Sequence, residues 1–157
     1  MADDGADEGA QDLAAENAAL GLALEAAHAA VWGYGVVGAA LEPGARGAAG
    51  SAEAAHRDVR DRVITLLAER SVEPAPAEGA YALPFPVLSA VDAATLAVVL
   101  EDGTATAWVR VLDQAAGSGT RELALEALSG AEVRAVGWRT AAGQTPVTRA
   151  LPGLPPG

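Results

Sequence analysis

The sequence contains no cysteine and no lysine, and aromatic residues make up only 4% of its 157 residues. The missing cysteines exclude disulfides, thiolate zinc sites and cysteine nucleophiles. Basic residues are also scarce, since ten arginines stand against 21 acidic residues and give a net charge of −11. This charge balance argues against binding to nucleic acid or to an anionic membrane surface, so neither is expected as a partner.

The first ten residues, MADDGADEGA, are acidic and lack the basic segment with which a secretory signal begins. Their low apolar content predicts a disordered acidic tail over residues 1–10. The length of the remaining chain, residues 11–157, is typical of one domain. The expected location is the cytoplasm, because no secretory signal is recognised.

Residues 18–41 are strongly apolar, and Glu25 and His28 are their only acidic or basic side chains. A membrane-spanning helix needs about 20 predominantly apolar residues and usually has basic residues on its cytoplasmic flank. Here the flanks are acidic and most of the residues are small. The pattern therefore favours a buried helix of a bundle over a membrane span.

Four helices are predicted from the apolar periodicity and from residues that begin or end helices. Ser89 or Asp92 is expected to cap the third helix. The tail GQTPVTRALPGLPPG is expected to be extended, because its prolines forbid a fifth helix. The stretch EPGARGAAGS is expected to be a turn, or a turn followed by the weak start of the second helix. The expected ranges of the four helices are residues 11–41, 51–70 (the surest part of the second helix), 91–116 and 120–140.

The segment between the second and third helices, residues 71–87, contains four prolines and is predicted to be extended. Tyr81, Phe85 and Val87 are expected to pack this segment against the bundle. Two short connections and one long connection are the wiring of a ferritin-like bundle. The predicted fold is therefore all-α: a four-helix ferritin-like bundle with a proline-rich crossover between helices 2 and 3 and an extended C-terminal tail.

Several short motifs carry a resemblance to a known family. They are Glu25-Ala-Ala-His28, Trp32-Gly-Tyr-Gly35, Ala55-His56-Arg57 and Tyr81-Ala-Leu-Pro-Phe-Pro86. Through these motifs the chain resembles, over roughly residues 12–155, an actinobacterial ferritin-like domain family of unknown function. The resemblance implies a four-helix ferritin-like fold and self-association, and it implies no catalytic residue.

Glu25 is predicted to lie on the apolar side of helix 1, one turn before His28, where an unpaired charge is costly. With the helix 1–2 turn centred at Pro43–Gly44, Arg60 is the inward-facing arginine nearest to the level of Glu25. Arg57 lies one helical turn away from Arg60. A guanidinium is well suited to pair with a buried carboxylate. The sequence therefore predicts a buried polar cluster of Glu25, His28, Arg57 and Arg60.

An alternative hypothesis is a dinuclear metal centre, because di-iron bundles use two carboxylates and two Glu-x-x-His motifs. The two motifs here lie on helices 1 and 2, whereas the di-iron pattern places them on helices 2 and 4. With the helix 1–2 turn centred at Pro43–Gly44, the two Glu-x-x-His motifs are offset by roughly 9 Å along the helices, which is too far for one compact metal site. The candidate metal ligands on this hypothesis are Glu25, His28, Glu53, His56, Glu101 and Glu132.

Two function classes follow from these interpretations. The first is a metal-free structural or interaction module without a cofactor, expected to form a homodimer through its Ala/Gly-rich faces. Gly33, Gly35 and Gly38 predict a close helix contact, either inside the bundle or across the dimer. The second class is an iron or manganese carboxylate oxidase or oxygenase. The sequence identifies neither a substrate nor a pathway.

Overall fold

The structure is a computed structural model that describes residues 4–155. Within this range the chain forms four α-helices and no strand, so the prediction of an all-helical bundle is confirmed. A single 3-10 turn, Pro43–Ala45, joins the first two α-helices. The α-helices are α1 (Asp4–Ala40), α2 (Arg46–Glu69), α3 (Ala90–Gln114) and α4 (Ser118–Ala141).

The start of α1 differs from the prediction of a disordered tail over residues 1–10. Residues 4–10 are helical, so the prediction is wrong for them, and residues 1–3 lie outside the described range. Residues 5–14 are exposed and do not pack on the other helices, and their alanines and acids are compatible with a helix. Local propensity therefore extends α1 beyond the part of it that packs on the bundle.

The boundaries of α3 follow its caps. The Ser89 hydroxyl accepts a hydrogen bond of 3.1 Å from the Asp92 backbone N–H, which confirms Ser89 as the N-cap. The Asp92 carboxylate in turn accepts from the Leu88 backbone N–H over 3.0 Å. These two bonds fix the point at which the chain enters α3.

Two groups of buried side chains define the helix directions. One contains the N-terminal half of α1, the C-terminal halves of α2 and α3, and the start of α4; it includes Leu20, Leu24, Leu67, Trp108 and Leu123. The other contains the opposite ends of the same helices and includes Tyr34, Val37, Ala52, Leu96 and Trp138. Helix α1 therefore runs antiparallel to α2 and α3, and α4 runs in the direction of α1.

Residues 70–89 connect α2 to α3, which run in the same direction, and the segment carries no regular secondary structure. His28 bonds through Nε2 to the carbonyl oxygen of Ala75 over 3.0 Å, and the Trp32 and Tyr81 rings are 5.8 Å apart. Farther along, Phe85 and Val87 pack against the second core group. The segment thus follows α1 along the bundle, and Tyr81, Phe85 and Val87 are half-buried.

Helices α1 and α3 approach closely at Gly33. A Cβ atom at this position would lie 2.7 Å from Cδ1 of Leu100, so the close contact predicted for the glycine segment is present here, inside the bundle. Gly35 has no neighbouring atom within 4 Å of such a Cβ and is exposed. By length and composition α1 also resembles a membrane-crossing helix, but half of its apolar window is buried within the bundle.

The C-terminal tail lies against α3. Arg139 donates to the carbonyl oxygen of Val147 over 3.0 Å and forms an ion pair with Asp102. Arg149, within the tail, binds the other oxygen of Asp102 over 2.8 Å. Gly153 adopts a positive φ of 76° and lies so close to α3 that a Cβ would be 2.7 Å from the Ala105 carbonyl oxygen. The tail is therefore ordered by specific polar contacts.

Candidate functional site

A carboxylate lies at the centre of the bundle with no solvent exposure. Glu101 of α3 is 0% exposed, and its side chain is surrounded by Tyr34 of α1, His56 of α2 and Arg134 of α4. Each of the four helices thus contributes one residue. We call these four residues the Glu101 cluster.

All three neighbours hydrogen bond to Glu101. The Tyr34 hydroxyl donates to Oε1 over 2.5 Å, and His56 Nε2 lies 3.0 Å from the same oxygen. Arg134 donates from Nε to Oε1 over 2.9 Å and from Nη2 to Oε2 over 3.1 Å. An ionised carboxylate only accepts hydrogen bonds, so His56 must carry its proton on Nε2.

Helical periodicity turns these side chains toward the interior of the bundle. Glu101 lies on the buried stripe of α3, one turn before Ala105 and two turns before Trp108. Arg134 lies beside the buried stripe of α4, and its aliphatic stem carries the guanidinium inward from a side chain that is 24% exposed. The Tyr34 and His56 rings stack with their centres 5.6 Å apart. The stacking fixes the directions of their donors.

The neighbours of Glu101 determine its charge state. Burial by itself raises the pKa of this carboxyl group, but the hydrogen bonds and charges of His56 and Arg134 outweigh burial and lower the pKa below its usual range. Burial and the adjacent Glu101 charge raise the pKa of Tyr34 far above that of a free tyrosine. The cluster therefore holds an ionised glutamate beside a neutral phenol.

The donor arrangement does not fit a dinuclear metal centre. A metal ion requires free lone pairs, whereas the oxygens of Glu101 face O–H and N–H groups and a permanent positive charge. Among the described residues, no three histidine, aspartate or glutamate side chains converge on a point that could hold a metal ion. The chemistry available at Glu101 is ion pairing and hydrogen bonding.

Glu25 does not belong to this buried region, and its predicted role is wrong. The residue is exposed on α1, because the buried stripe of the helix passes through Leu24, Ala27 and Ala30 on another face. His28 lies at the edge of that stripe and is buried, but its partner is the backbone at Ala75. The predicted pairing of Glu25 with an arginine is therefore not formed.

The two arginines predicted to join Glu25 lie toward solvent on α2. Arg60 donates from Nε to the neighbouring Asp61 over 2.8 Å, and Arg57 binds Glu53 one turn away over 2.6 Å. Arg57 is exposed and Arg60 is only half-buried. The predicted buried cluster fails because the inward stripe of α2 runs through His56, Val63 and Leu67.

The six candidate metal ligands are dispersed through the structure. Only His56 and Glu101 meet, at 3.0 Å. Glu132 lies 3.5 Å from Arg139, and its Oε1 atom is buried without a hydrogen-bond partner among the described residues. Glu53 pairs with Arg57, as stated above. The hypothesis that these six residues surround one metal centre is contradicted by their positions.

A second buried carboxylate, Glu16, lies at the other end of the bundle. Its Oε1 accepts from the Thr120 hydroxyl over 2.5 Å and lies 2.6 Å from Nη2 of Arg70. Its Oε2 accepts from the backbone N–H groups of Ala116 over 2.6 Å and Gly117 over 3.2 Å. Glu16 thus joins α1 to the end of α2 and to the α3–α4 turn.

Burial raises the pKa of Glu16, but the bonds from Thr120, Arg70 and the two backbone N–H groups lower it below the usual value. The carboxylate also occupies the N-terminal end of α4, where unpaired N–H groups and the helix dipole favour a negative charge. No motif in the sequence marks Glu16, because it lies in a stretch rich in alanine with scattered acidic residues. Glu16 therefore caps the helix ends that meet at the α3–α4 turn.

The chain also resembles known proteins in sequence and in structure. The sequence profile described as "Domain of unknown function (DUF4439)" matches residues 19–156. A solved structure, that of a conserved hypothetical protein from the actinobacterium Mycobacterium tuberculosis, is similar with a TM-score of 0.79 and 42% sequence identity. This match covers 81% of the present chain and 96% of the mycobacterial one. No curated protein matches the chain significantly.

Proposed function

This chain belongs to the DUF4439 family of domains of unknown function, and we propose that it is a metal-free interaction module with a ferritin-like fold. The helix directions support the fold proposal, since α1 and α4 run one way, α2 and α3 run the other, and one long segment links the parallel pair. A bundle with one long crossover is the ferritin-like arrangement.

The contact between Arg134 and Glu101 carries the functional part of the proposal. In di-iron bundles, inward-facing carboxylates from all four helices surround the metal ions. Here a glutamate, an arginine, a histidine and a tyrosine come from the four helices, and the guanidinium binds both carboxylate oxygens. The guanidinium provides the positive charge that a metal ion provides elsewhere, so the helices are held together without a cofactor.

The proposed partner is a second copy of the chain. Ala18, Leu22 and Gly35 on α1 are exposed, and such small or apolar side chains permit another helix to approach closely. The strongly acidic composition does not favour nucleic acid. Light scattering of the purified chain measures its mass in solution, and we expect the mass of a dimer. A mass of one chain at micromolar concentration contradicts the homodimer.

Elemental analysis tests the metal-free part of the proposal. The protein is produced in medium supplemented with iron and manganese and is purified without a chelator. We expect both metals well below one equivalent per chain, in the wild type and equally in the Glu101→Gln variant. Near-stoichiometric iron or manganese in the wild type that is lost in Glu101→Gln would overturn the proposal and favour an oxidase or oxygenase.

A further inference from the structure

Helix α1 exposes an apolar side to solvent. Between residues 18 and 41, Glu25 is the only exposed side chain that is acidic or basic, and Leu22 is 42% exposed. A shallow groove beside this side is lined by Ala18 and Leu22 from α1 and by Arg110 from α3. A helix that is apolar on all sides is normally buried on all sides. The exposed side of α1 therefore has the composition of a contact surface.

The outward residues of α1 and α3 beside this groove follow the same spacing. Steps of four, three and four residues separate them, so on each helix they form one stripe. This spacing is typical of helices that pack against another helix along a seam. The stripe on α1 consists of Ala18, Leu22, Glu25 and the half-buried Ala29. The stripe on α3 consists of Val99, Gly103, Thr106 and Arg110. We call the two stripes together the α1–α3 face.

Two opposite charges lie on this face at one level, one on each helix. Tyr34 of α1 bonds to Glu101 of the antiparallel helix α3. Counting nine residues back from Tyr34 reaches Glu25, and counting nine residues forward from Glu101 reaches Arg110. Equal steps along antiparallel helices end at the same level. Neither Glu25 nor Arg110 forms an ion pair with another described residue.

The positions of these two charges fit a second copy of the chain. When two copies place their α1–α3 faces together about a two-fold axis parallel to the helices, α1 of each lies over α3 of the other. Glu25 then faces Arg110 of the partner subunit, and Arg110 faces Glu25 of the partner subunit. A two-fold axis perpendicular to the helices at this level would bring like charges together. Charge complementarity therefore selects the parallel axis.

The charge of the face also suits contact between two acidic molecules. Two copies that each carry a net charge of −11 repel one another. The two stripes contain one acid and one base, so the excess of acidic residues lies elsewhere in the chain. Asp113 lines the groove next to Arg110, and its carboxylate accepts a hydrogen bond from the Gln114 amide over 2.6 Å. The α1–α3 face thus joins two copies with little electrostatic cost.

We propose that two copies of the chain meet through the α1–α3 face, with reciprocal Glu25–Arg110 pairs across a two-fold axis parallel to the helices. The inference rests on the homodimer proposed above, and it adds the surface, the symmetry and the charge pair of that dimer. It assigns a role to Glu25, which lies outside the buried cluster, and to Arg110.

Charge reversal tests the pairing, because an exposed ion pair contributes little whereas like charges in contact repel. We expect Glu25→Arg and Arg110→Glu each to weaken dimerisation by about tenfold or more in sedimentation equilibrium. The variant with both reversals keeps the net charge and restores opposite charges, so its dimerisation is expected within about threefold of the wild type. Glu122→Arg, at an exposed position of α4 outside the face, is the control and should leave dimerisation unchanged.

Circular dichroism verifies that each variant remains folded, since all the substituted positions are exposed. A dimer that neither single reversal weakens would overturn the inference and leave the homodimer standing, because the copies then meet elsewhere. A double variant as weak as the single ones would show that the two residues do not face each other. A monomeric wild type would contradict the homodimer as well. Binding of that monomer to phosphatidylcholine vesicles would assign the face to a lipid surface instead.

Discussion

Arg134 and Glu101 form a pair of roughly parallel hydrogen bonds, Nε to Oε1 at 2.9 Å and Nη2 to Oε2 at 3.1 Å. The two residues lie on the neighbouring antiparallel helices α4 and α3, and the carboxylate has no contact with solvent. Breaking a buried ion pair on one side leaves the other charge without compensation. The stability of the bundle is therefore expected to depend strongly on this contact.

Arg134→Met keeps the length of the side chain and removes its charge. We expect it to lower the free energy of unfolding by about 3 kcal/mol, because the ionised Glu101 is then left with neutral donors only. Adding Glu101→Gln is expected to restore part of this loss, since the buried charge is removed as well. Urea unfolding of the two single variants and the double variant measures the coupling.

Arg62→Met serves as the control for this cycle. Arg62 binds Glu126 over 3.0 Å at the surface, and exposed pairs contribute about 1 kcal/mol or less. A loss in Arg134→Met no larger than that in Arg62→Met would mean that the buried pair does not stabilise the fold.

Acid is expected to destabilise the protein through Glu101. Its pKa is lowered in the folded state from an ordinary value of 4.5, so the unfolded chain takes up the proton first as the pH falls. The stabilisation is complete above that value and is lost progressively below it. Glu101→Gln should therefore reduce the slope of unfolding free energy against pH below pH 4.5. An unchanged slope would contradict the assignment.

Alkali is expected to act through Tyr34, whose pKa is raised in the folded state from an ordinary value of 10.0. The unfolded chain loses this proton first, so stability is present below pH 10 and is lost above it. The chain has no lysine to titrate in the same range. Tyr34→Phe should abolish most of this loss, whereas Tyr81→Phe, which keeps Tyr34, should preserve it. Circular dichroism between pH 9 and about 11.5 measures the effect.

Glu16 and Glu25 both lie on α1, but we expect their substitution by glutamine to affect stability very differently. Glu16→Gln presents an amide donor to groups that already donate, and we expect a loss of about 3 kcal/mol. Glu25→Gln changes an exposed side chain and should alter stability by about 0.5 kcal/mol or less. Thermal unfolding of both variants at neutral pH provides the comparison. Similar melting temperatures would refute the capping role of Glu16.

Local signals in the sequence were sufficient for the helices and for most of their ends. Ser89 and Asp92 determine the start of α3, and the prolines of residues 71–87 exclude a helix there. The start of α1 was predicted too late, because the acidic first ten residues resemble a tail in composition. Their alanines and acids also favour a helix, and composition alone does not separate the two outcomes.

The cluster was harder to predict, because it depends on which face of each helix turns inward. On α1, Glu25 and Tyr34 lie on different faces, and many small residues give the helix a weak apolar stripe. Only Glu101 and His56 were among the candidates. Counting outward from the turn at Gly117–Ser118 places Arg134 near the level of Glu101, and that signal was available. The inward direction of the Arg134 side chain could not be predicted, because Arg134 lies beside the buried stripe of α4 and not on it.

Because each helix contributes one residue to the Glu101 cluster, the separation of any one helix breaks part of the cluster. A molecule in which α4 has separated would leave Glu101 without its arginine, and one in which α1 has separated would lose Tyr34. Every such form carries an uncompensated polar group, which makes partial opening costly. The long segment before α3 is otherwise suited to exchange of the α3–α4 hairpin between two molecules. Such domain swapping must pass through an opened form in which the hairpin keeps the Arg134–Glu101 pair but loses the bonds from Tyr34 and His56, and this opening is costly.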